Sequence, residues 1–238
     1  MKKSQLYPII AVFVAIVTFI AFAYGIKVKT SPAQEDASQI YALIRDRVAT
    51  VAEQAKDTLK RLGEEEHTLS AKNDDCAIPL AAYLNEKKDV FDVFLRVKPN
   101  GELDCTPKSA VSGVSFSDRI YYKKVIEQKD FVIGEFLVGK VSGLPVLAVA
   151  QPFFEGDGAL KYILVAGLKT KWLESILAEN NKFDESLIVE LQDASGTLLS
   201  YFATGRLAIP GEGRRIEIAR YKLFPGASDA EVVIFQKT

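Results

Sequence analysis

The chain has 238 residues, 48% of them hydrophobic and 26% charged, with a formal net charge of −1. That is enough for one medium domain or two small ones. Balanced charge without a basic block excludes the clustered Lys and Arg of a nucleic-acid binder, and the lack of an acidic tail or low-complexity tract says that most of the chain folds.

Residues 6–26, LYPIIAVFVAIVTFIAFAYGI, carry no charge and meet the ~20 residues that cross a bilayer core. A helix satisfies its own backbone there. Pro8 falls in its first turn, where a missing N–H costs least, and Tyr7 and Tyr24 sit at its ends like interfacial anchors. Residues 1–5 are then a cytoplasmic tail. A core helix would show a polar face, and this run has none. A cleaved signal peptide is the rival, because Ala21-Phe22-Ala23 has the small-x-small form of a cleavage site; the length of the run favours a retained anchor. Lysines lie on both sides (Lys2, Lys3, Lys27, Lys29) and leave orientation open. The two cysteines, Cys76 and Cys105, follow the apolar run. An even pair behind an export-type N-terminus reads as a disulfide in an oxidising compartment. A metal site fails on ligands, with His67 the single histidine and no CxxC pair. The expectation is a single-pass protein of the inner membrane with its folded part in the periplasm.

Residues 27–66 contain a long amphipathic helix, whose apolar stripe is Ile40, Ile44, Val48, Val51, Ala55, Leu59 and Leu62 in steps of four and three. The stripe can pack on its own domain or form the stalk of a homodimer, and both are expected to share it. A second helix is predicted over 75–87, behind an Asn-Asp-Asp cap. A strand over 90–98, the turn Pro99-Asn100-Gly101 and a returning strand over 102–106 follow. A short helix over 117–128 starts at a Ser117/Asp118 cap. Strands over 131–138, 145–154 and 160–168 make a meander, with Glu155-Gly156-Asp157-Gly158 as its second hairpin, and a helix over 171–179 closes the unit. One antiparallel sheet flanked by helices satisfies this order, an α+β arrangement. From residue 185 the pattern restarts, with strands over 187–191, 197–202, 215–223 and 231–236. Asn100-Gly101 and Ser195-Gly196, each ahead of a strand, look like one motif used twice.

The segment Ser117-Asp118-Arg119-Ile120-Tyr121-Tyr122 is the best candidate site. An Arg can fix a carboxylate or phosphate with a bidentate fork, and tyrosines supply an amphipathic wall with a hydroxyl. The alternative is that Arg119 pairs with Asp118 or Asp157 and ties the helix to the sheet. Phe136, Val138, Leu147, Val149 and Gln151 are expected on the far wall, Gln151 as its polar member. No GxSxG elbow, P-loop or HExxH motif is present, and the lone histidine lies in a polar run, so no catalytic residue, cofactor or metal is assigned.

Taken together, KPNGELDC, SDRIYY, GEFLVGKVSGLPVLAVAQPF, the GDG hairpin, ILVAGLKTKWLESIL and LQDASGTLLS resemble, in order and spacing, the double Cache family. These are tandem PAS-like sensor domains found in front of diguanylate cyclases and histidine kinases. The resemblance covers nearly all of the chain after the apolar run. It implies a long N-terminal helix carrying two PAS-like antiparallel sheets, the second smaller: a membrane-distal ligand-binding unit over 67–182 and a membrane-proximal unit over 183–238. It also implies that Arg119 holds a ligand carboxylate, with Tyr121 beside it and Tyr122 next. Amino-acid-binding members resemble one another in an Arg-x-Trp motif and a strand Asp that receives the α-amino group. Here Tyr121 replaces the Trp and Gly167 the Asp, which points to a carboxylate or other anion without an amine. The family plan places a second membrane helix and an output domain after the sensor, so the chain is either a fragment of a longer receptor or a stand-alone sensor. An exported adaptor that binds a partner protein through the same fold is the alternative function, and a distal pocket filled by its own side chains would favour it.

Overall fold

The computed structural model describes residues 31–70, 77–107, 113–170, 182–193, 196–204, 214–224 and 228–238. The chain divides into Met1–Pro32 and a compact body, Ala33–Thr238, to which the elements below belong. The apolar run over 6–26, the Asn-Asp-Asp cap and the helix expected over 171–179 lie outside the described residues. Among the described residues no helix is long and apolar enough to cross a membrane.

Helix α1, Pro32–Ser70, opens on a proline, which the first helical turn tolerates because its N–H would be unbonded there anyway. All seven stripe residues are buried. They share one apolar core with Phe94, Leu147 and Leu164 of a first sheet and with Leu187, Val189 and Ile234 of a second. A fully buried aliphatic side chain contributes roughly 1.5–3 kcal/mol, so the stripe is the main bond between α1 and both sheets. It is used up inside the chain. A dimer through α1 would have to use its outer faces, where Leu43 is exposed.

Helix α2 (Ala77–Glu86) leads into β1 (Phe91–Val97) and β2 (Leu103–Cys105). Helix α3 (Ile120–Gln128) precedes the meander β3 (Val132–Val138), β4 (Pro145–Phe154) and β5 (Leu160–Lys169). The hairpin and the meander join through antiparallel β1–β5 pairing into a five-stranded sheet of order β2-β1-β5-β4-β3. The second sheet, β6 (Leu187–Gln192), β7 (Leu198–Ala203), β8 (Arg215–Phe224) and β9 (Ser228–Lys237), has the order β7-β6-β9-β8. It matches the first sheet strand for strand without an equivalent of β3.

The two Gly motifs make the same pair of backbone hydrogen bonds in both sheets. Gly101 N–H donates to Lys98 O and Lys98 N–H to Glu102 O; Gly196 N–H donates to Asp193 O and Asp193 N–H to Thr197 O. Both glycines have left-handed φ, +87° and +79°, where a side chain is strained.

Candidate functional site

The first sheet has two chemically different faces. One packs on α1; the other forms an apolar layer with Val93, Leu95, Val146, Ala148 and Val165 against Phe116, Tyr121 and Val125. Gly134 on β3 lets α3 approach, since a Cβ there would stand 2.6 Å from Tyr121 Cβ and 2.9 Å from Ala148 O. Between α3 and this face the free space measures about 20 Å³, room for one water. Gly167 borders it, and a Cβ there would meet Val93 Cγ1 at 2.9 Å. The place where an amine-receiving Asp was to be sought cannot take a side chain without rearrangement.

The start of α3 is not capped by Ser117 or Asp118. Arg119 occupies the N-cap position with extended backbone and makes no side-chain cap bond. The cap comes from β3: Glu135 Oε1 accepts from Ile120 N–H and Oε2 from Tyr121 N–H, each at 3.0 Å. Burial pushes the Glu135 carboxyl above its ordinary value, opposed by these two bonds and by the Arg119 charge. The chain's own carboxylate therefore holds the helix terminus, where an incoming anion would otherwise bind. Asp118 instead receives Lys140 Nζ at 2.7 Å, which holds its carboxyl below the usual range.

Arg119 pairs with neither Asp118 nor Asp157. Its Nη2 donates to Val138 O at 3.1 Å, and among the described residues its Nε and Nη1 have no protein partner. Arg119 borders the small cavity and also an open groove of about 530 Å³ between β3 and the second sheet. On the first-sheet side the groove shows Asp118, Glu135 and Val138; on the second it shows Asp193, Thr197 and Leu199.

The other expected site residues separate. Tyr121 is buried in the apolar layer, stands 6.5 Å from Phe116 ring to ring, and lines the small cavity; burial raises its phenol. Tyr122 turns away and donates to Pro99 O at 2.6 Å, tying α3 to the β1–β2 turn. Phe136, Leu147 and Val149 belong to the α1 face, not to the wall opposite Tyr121. Gln151 shares their parity on β4; its Nε2 reaches only Pro152 O, and its buried Oε1 has no partner. The wall is made by Val146 and Ala148, one residue out of step with the expectation, and a one-residue offset reverses the face of a strand. Phe136 does border the groove. Glu135 and Lys140 were missed because their partners are 15 and 22 residues away in sequence. Cys105 ends β2, and no described cysteine is a free thiol; its expected partner Cys76 lies outside the described residues.

No family model matches the chain, and no curated protein matches it. Solved structures do. An extracellular ligand binding receptor from Desulfohalobium retbaense superposes with a TM-score of 0.58 at 14% identity, over 83% of this chain and 39% of that one. The chain thus spans well under half of that receptor's length. The ligand-binding domain of the Campylobacter jejuni chemoreceptor Tlp3, in complex with 4-methylisoleucine, gives 0.55 at 12% identity over 88% and 93%. The ligand-binding domain of the Pseudomonas aeruginosa amino acid chemoreceptor PctC, in complex with GABA, gives 0.54 at 17% identity over 85% and 99%. The chain shares the fold of these receptor and ligand-binding domains, and in it two antiparallel sheets, the second smaller, pack on one long helix.

Proposed function

We propose that the chain is the extracytoplasmic small-molecule sensing module of a membrane signal-transduction receptor, with an output of the diguanylate cyclase or histidine kinase type lying beyond it. The observation that carries this reading is Arg119. A guanidinium with two of its three nitrogens unpartnered among the described residues stands at the first sheet's edge, on a cavity large enough for a metabolite. The ligand is a carboxylate or other anion, read by Arg119. The apolar run over 6–26 anchors the chain in the inner membrane, the units over 67–182 and 183–238 stand in the periplasm, and Cys76 and Cys105 are joined there as a disulfide. No catalytic role is assigned to any residue. Thermal-shift screening of the full chain in detergent against small carboxylates tests the reading. A stabilising carboxylate whose effect disappears in Arg119→Ala supports it; equal binding by wild type and variant would make Arg119 structural.

The adaptor reading has one observation in its favour: the space under α3 is filled by the chain's own side chains down to about 20 Å³. A partner-binding protein needs no cavity there. If no small anion binds, capture of a protein partner by the same full chain becomes the reading to pursue.

A further inference from the structure

We infer that the ligand site of this chain is the groove between the two sheets, not the space beneath α3, and that it takes a monocarboxylate with an apolar body. The inference rests on the sensing reading above and concerns where, and on what, that sensing acts.

Three observations carry it. The first is size: the space beneath α3 holds about 20 Å³ and the groove about 530 Å³, while ligand cavities measure about 300–1,000 Å³. The packing around the inner space is close. Gly167 already lies so close to Val93 that one added carbon would stand 2.9 Å from it. The loop above is tied down by Lys140 to Asp118 and to Ser115 O, both at 2.7 Å.

The second is the anchor. Glu135 occupies the N–H groups at the start of α3, which leaves Arg119 as the anion donor. Its anchoring bond runs to Val138 O on the groove-lining strand β3. A carboxylate meeting the remaining guanidinium nitrogens forms a charge-assisted pair.

The third is the surrounding chemistry. Ile120, Phe136, Val138 and Leu199 give the groove an apolar floor for the ligand's body. Asp118, Glu135 and Asp193 edge the same groove, so a second carboxylate on the ligand meets like charge and is disfavoured. A ligand seated there touches β3 of the first sheet and Thr197 and Leu199 of the second, and so couples the two sheets directly.

Calorimetry on the full chain in detergent, with phenylacetate, hexanoate and succinate as probes, tests this. Thr197→Trp fills the groove from the exposed turn of the second sheet, remote from the inner space. Val165→Ile fills the inner space and leaves the groove untouched. Thr197→Phe stands in if the tryptophan variant melts differently from wild type. The expected result is that a monocarboxylate binds wild type and Val165→Ile alike, about tenfold or more weaker in Thr197→Trp, with succinate weaker than either monocarboxylate. Loss of binding in Val165→Ile with retention in Thr197→Trp places the ligand beneath α3 and overturns the groove while leaving the sensing reading intact. Preferential binding of succinate overturns the ligand class. Failure of all three probes to bind wild type overturns this inference and counts against the sensing reading as well.

Discussion

The Lys140 ammonium stands 2.7 Å from Asp118 Oδ1 and thereby ties the β3–β4 loop to the segment leading into α3. Val141 of the same loop packs on the apolar layer beneath it. The pair is partly exposed, at 30% and 61% of its side chains, so its contribution is that of a surface ion pair, ~0.2–1 kcal/mol. Replacement by Lys140→Met should lower stability by that amount near neutral pH. The Asp118 carboxyl is held below 3.8, first by the Lys140 hydrogen bond. A depressed carboxyl stabilises above its unfolded value and loses that contribution as pH falls through its folded value. The difference in melting temperature between wild type and variant should therefore shrink as pH drops below about 4. A difference that stays constant down to pH 2 would remove the pair from the account.

Glu135 behaves in the opposite sense. Its carboxyl is raised above 4.5, with burial the largest cause, so the folded state binds a proton more readily than the unfolded chain. Its share of stability is greatest below its unfolded value and declines as pH rises from there through its folded value. A carboxyl-carbon NMR titration should show Glu135 titrating above its ordinary range and Asp118 below. Glu135→Ala, which leaves Ile120 N–H and Tyr121 N–H without their cap, should cost ~1–2 kcal/mol. Glu135→Gln keeps an acceptor and should cost less. Equal losses from the two would mean that the capping bonds contribute little.

Local features of the fold were legible and non-local ones were not. The α1 stripe could be read because helical periodicity repeats over seven positions, and all seven are buried. The two Gly turns could be read because a positive φ selects residue type at one position. What failed was parity and reach. On β4 the run PVLAVAQPFF is apolar on both faces, so alternation could not say whether Leu147 and Val149 or Val146 and Ala148 faced α3. Asp118 looked like a helix cap by spacing, yet Lys140 draws it outward while Glu135 from β3 takes the terminus. Arg119 was singled out by its chemistry; that it borders a groove between two sheets depends on Asp193, Thr197 and Leu199, which lie far along the chain.

At Gly134 α3 lies close against the sheet. A methyl group added there meets Ala148 O at 2.9 Å, a backbone atom that cannot rotate away, and Tyr121 Cβ at 2.6 Å. Gly134→Ala should destabilise by ~1–3 kcal/mol through overpacking. Hydrogen exchange should show the loss of protection concentrated in α3. A variant as stable as wild type would mean that α3 can slide outward freely.

The proposed Cys76–Cys105 disulfide would close a loop worth about 3–4 kcal/mol in the chain-entropy model. It would pin the segment before α2 to the end of β2, a strand of three residues at the edge of its sheet. Unreduced protein exported to the periplasm should be inert to thiol labelling when unfolded in denaturant, and reduction should lower its melting temperature. Two labelled thiols in unreduced material would end the proposal.

On the second sheet, Glu190 is 3% exposed and its carboxylate is paired with Arg215, while Gln192 Nε2 donates to its other oxygen at 2.8 Å. The Arg215 guanidinium also lies 4.4 Å from the centre of the Phe235 ring, which shields one of its faces. Glu190 lies on β6, which pairs with β9, and β9 pairs with β8, so the ion pair spans three neighbouring strands. Glu190 is buried while the Arg215 side chain is 34% exposed, so removing the arginine leaves a buried carboxylate with Gln192 as its remaining donor, at a cost below the ~3–5 kcal/mol of a fully buried pair, whereas removing both costs less still. Arg215→Ala should therefore be destabilising by ~1–3 kcal/mol, while the double variant Glu190→Gln with Arg215→Ala should regain much of the loss, because the buried charge is gone. Chemical denaturation of wild type, both single variants and the double variant forms a complete cycle. A positive coupling of about 1 kcal/mol or more is expected. Strict additivity would show that Glu190 is adequately satisfied by Gln192 and that Arg215 serves mainly to cover Phe235.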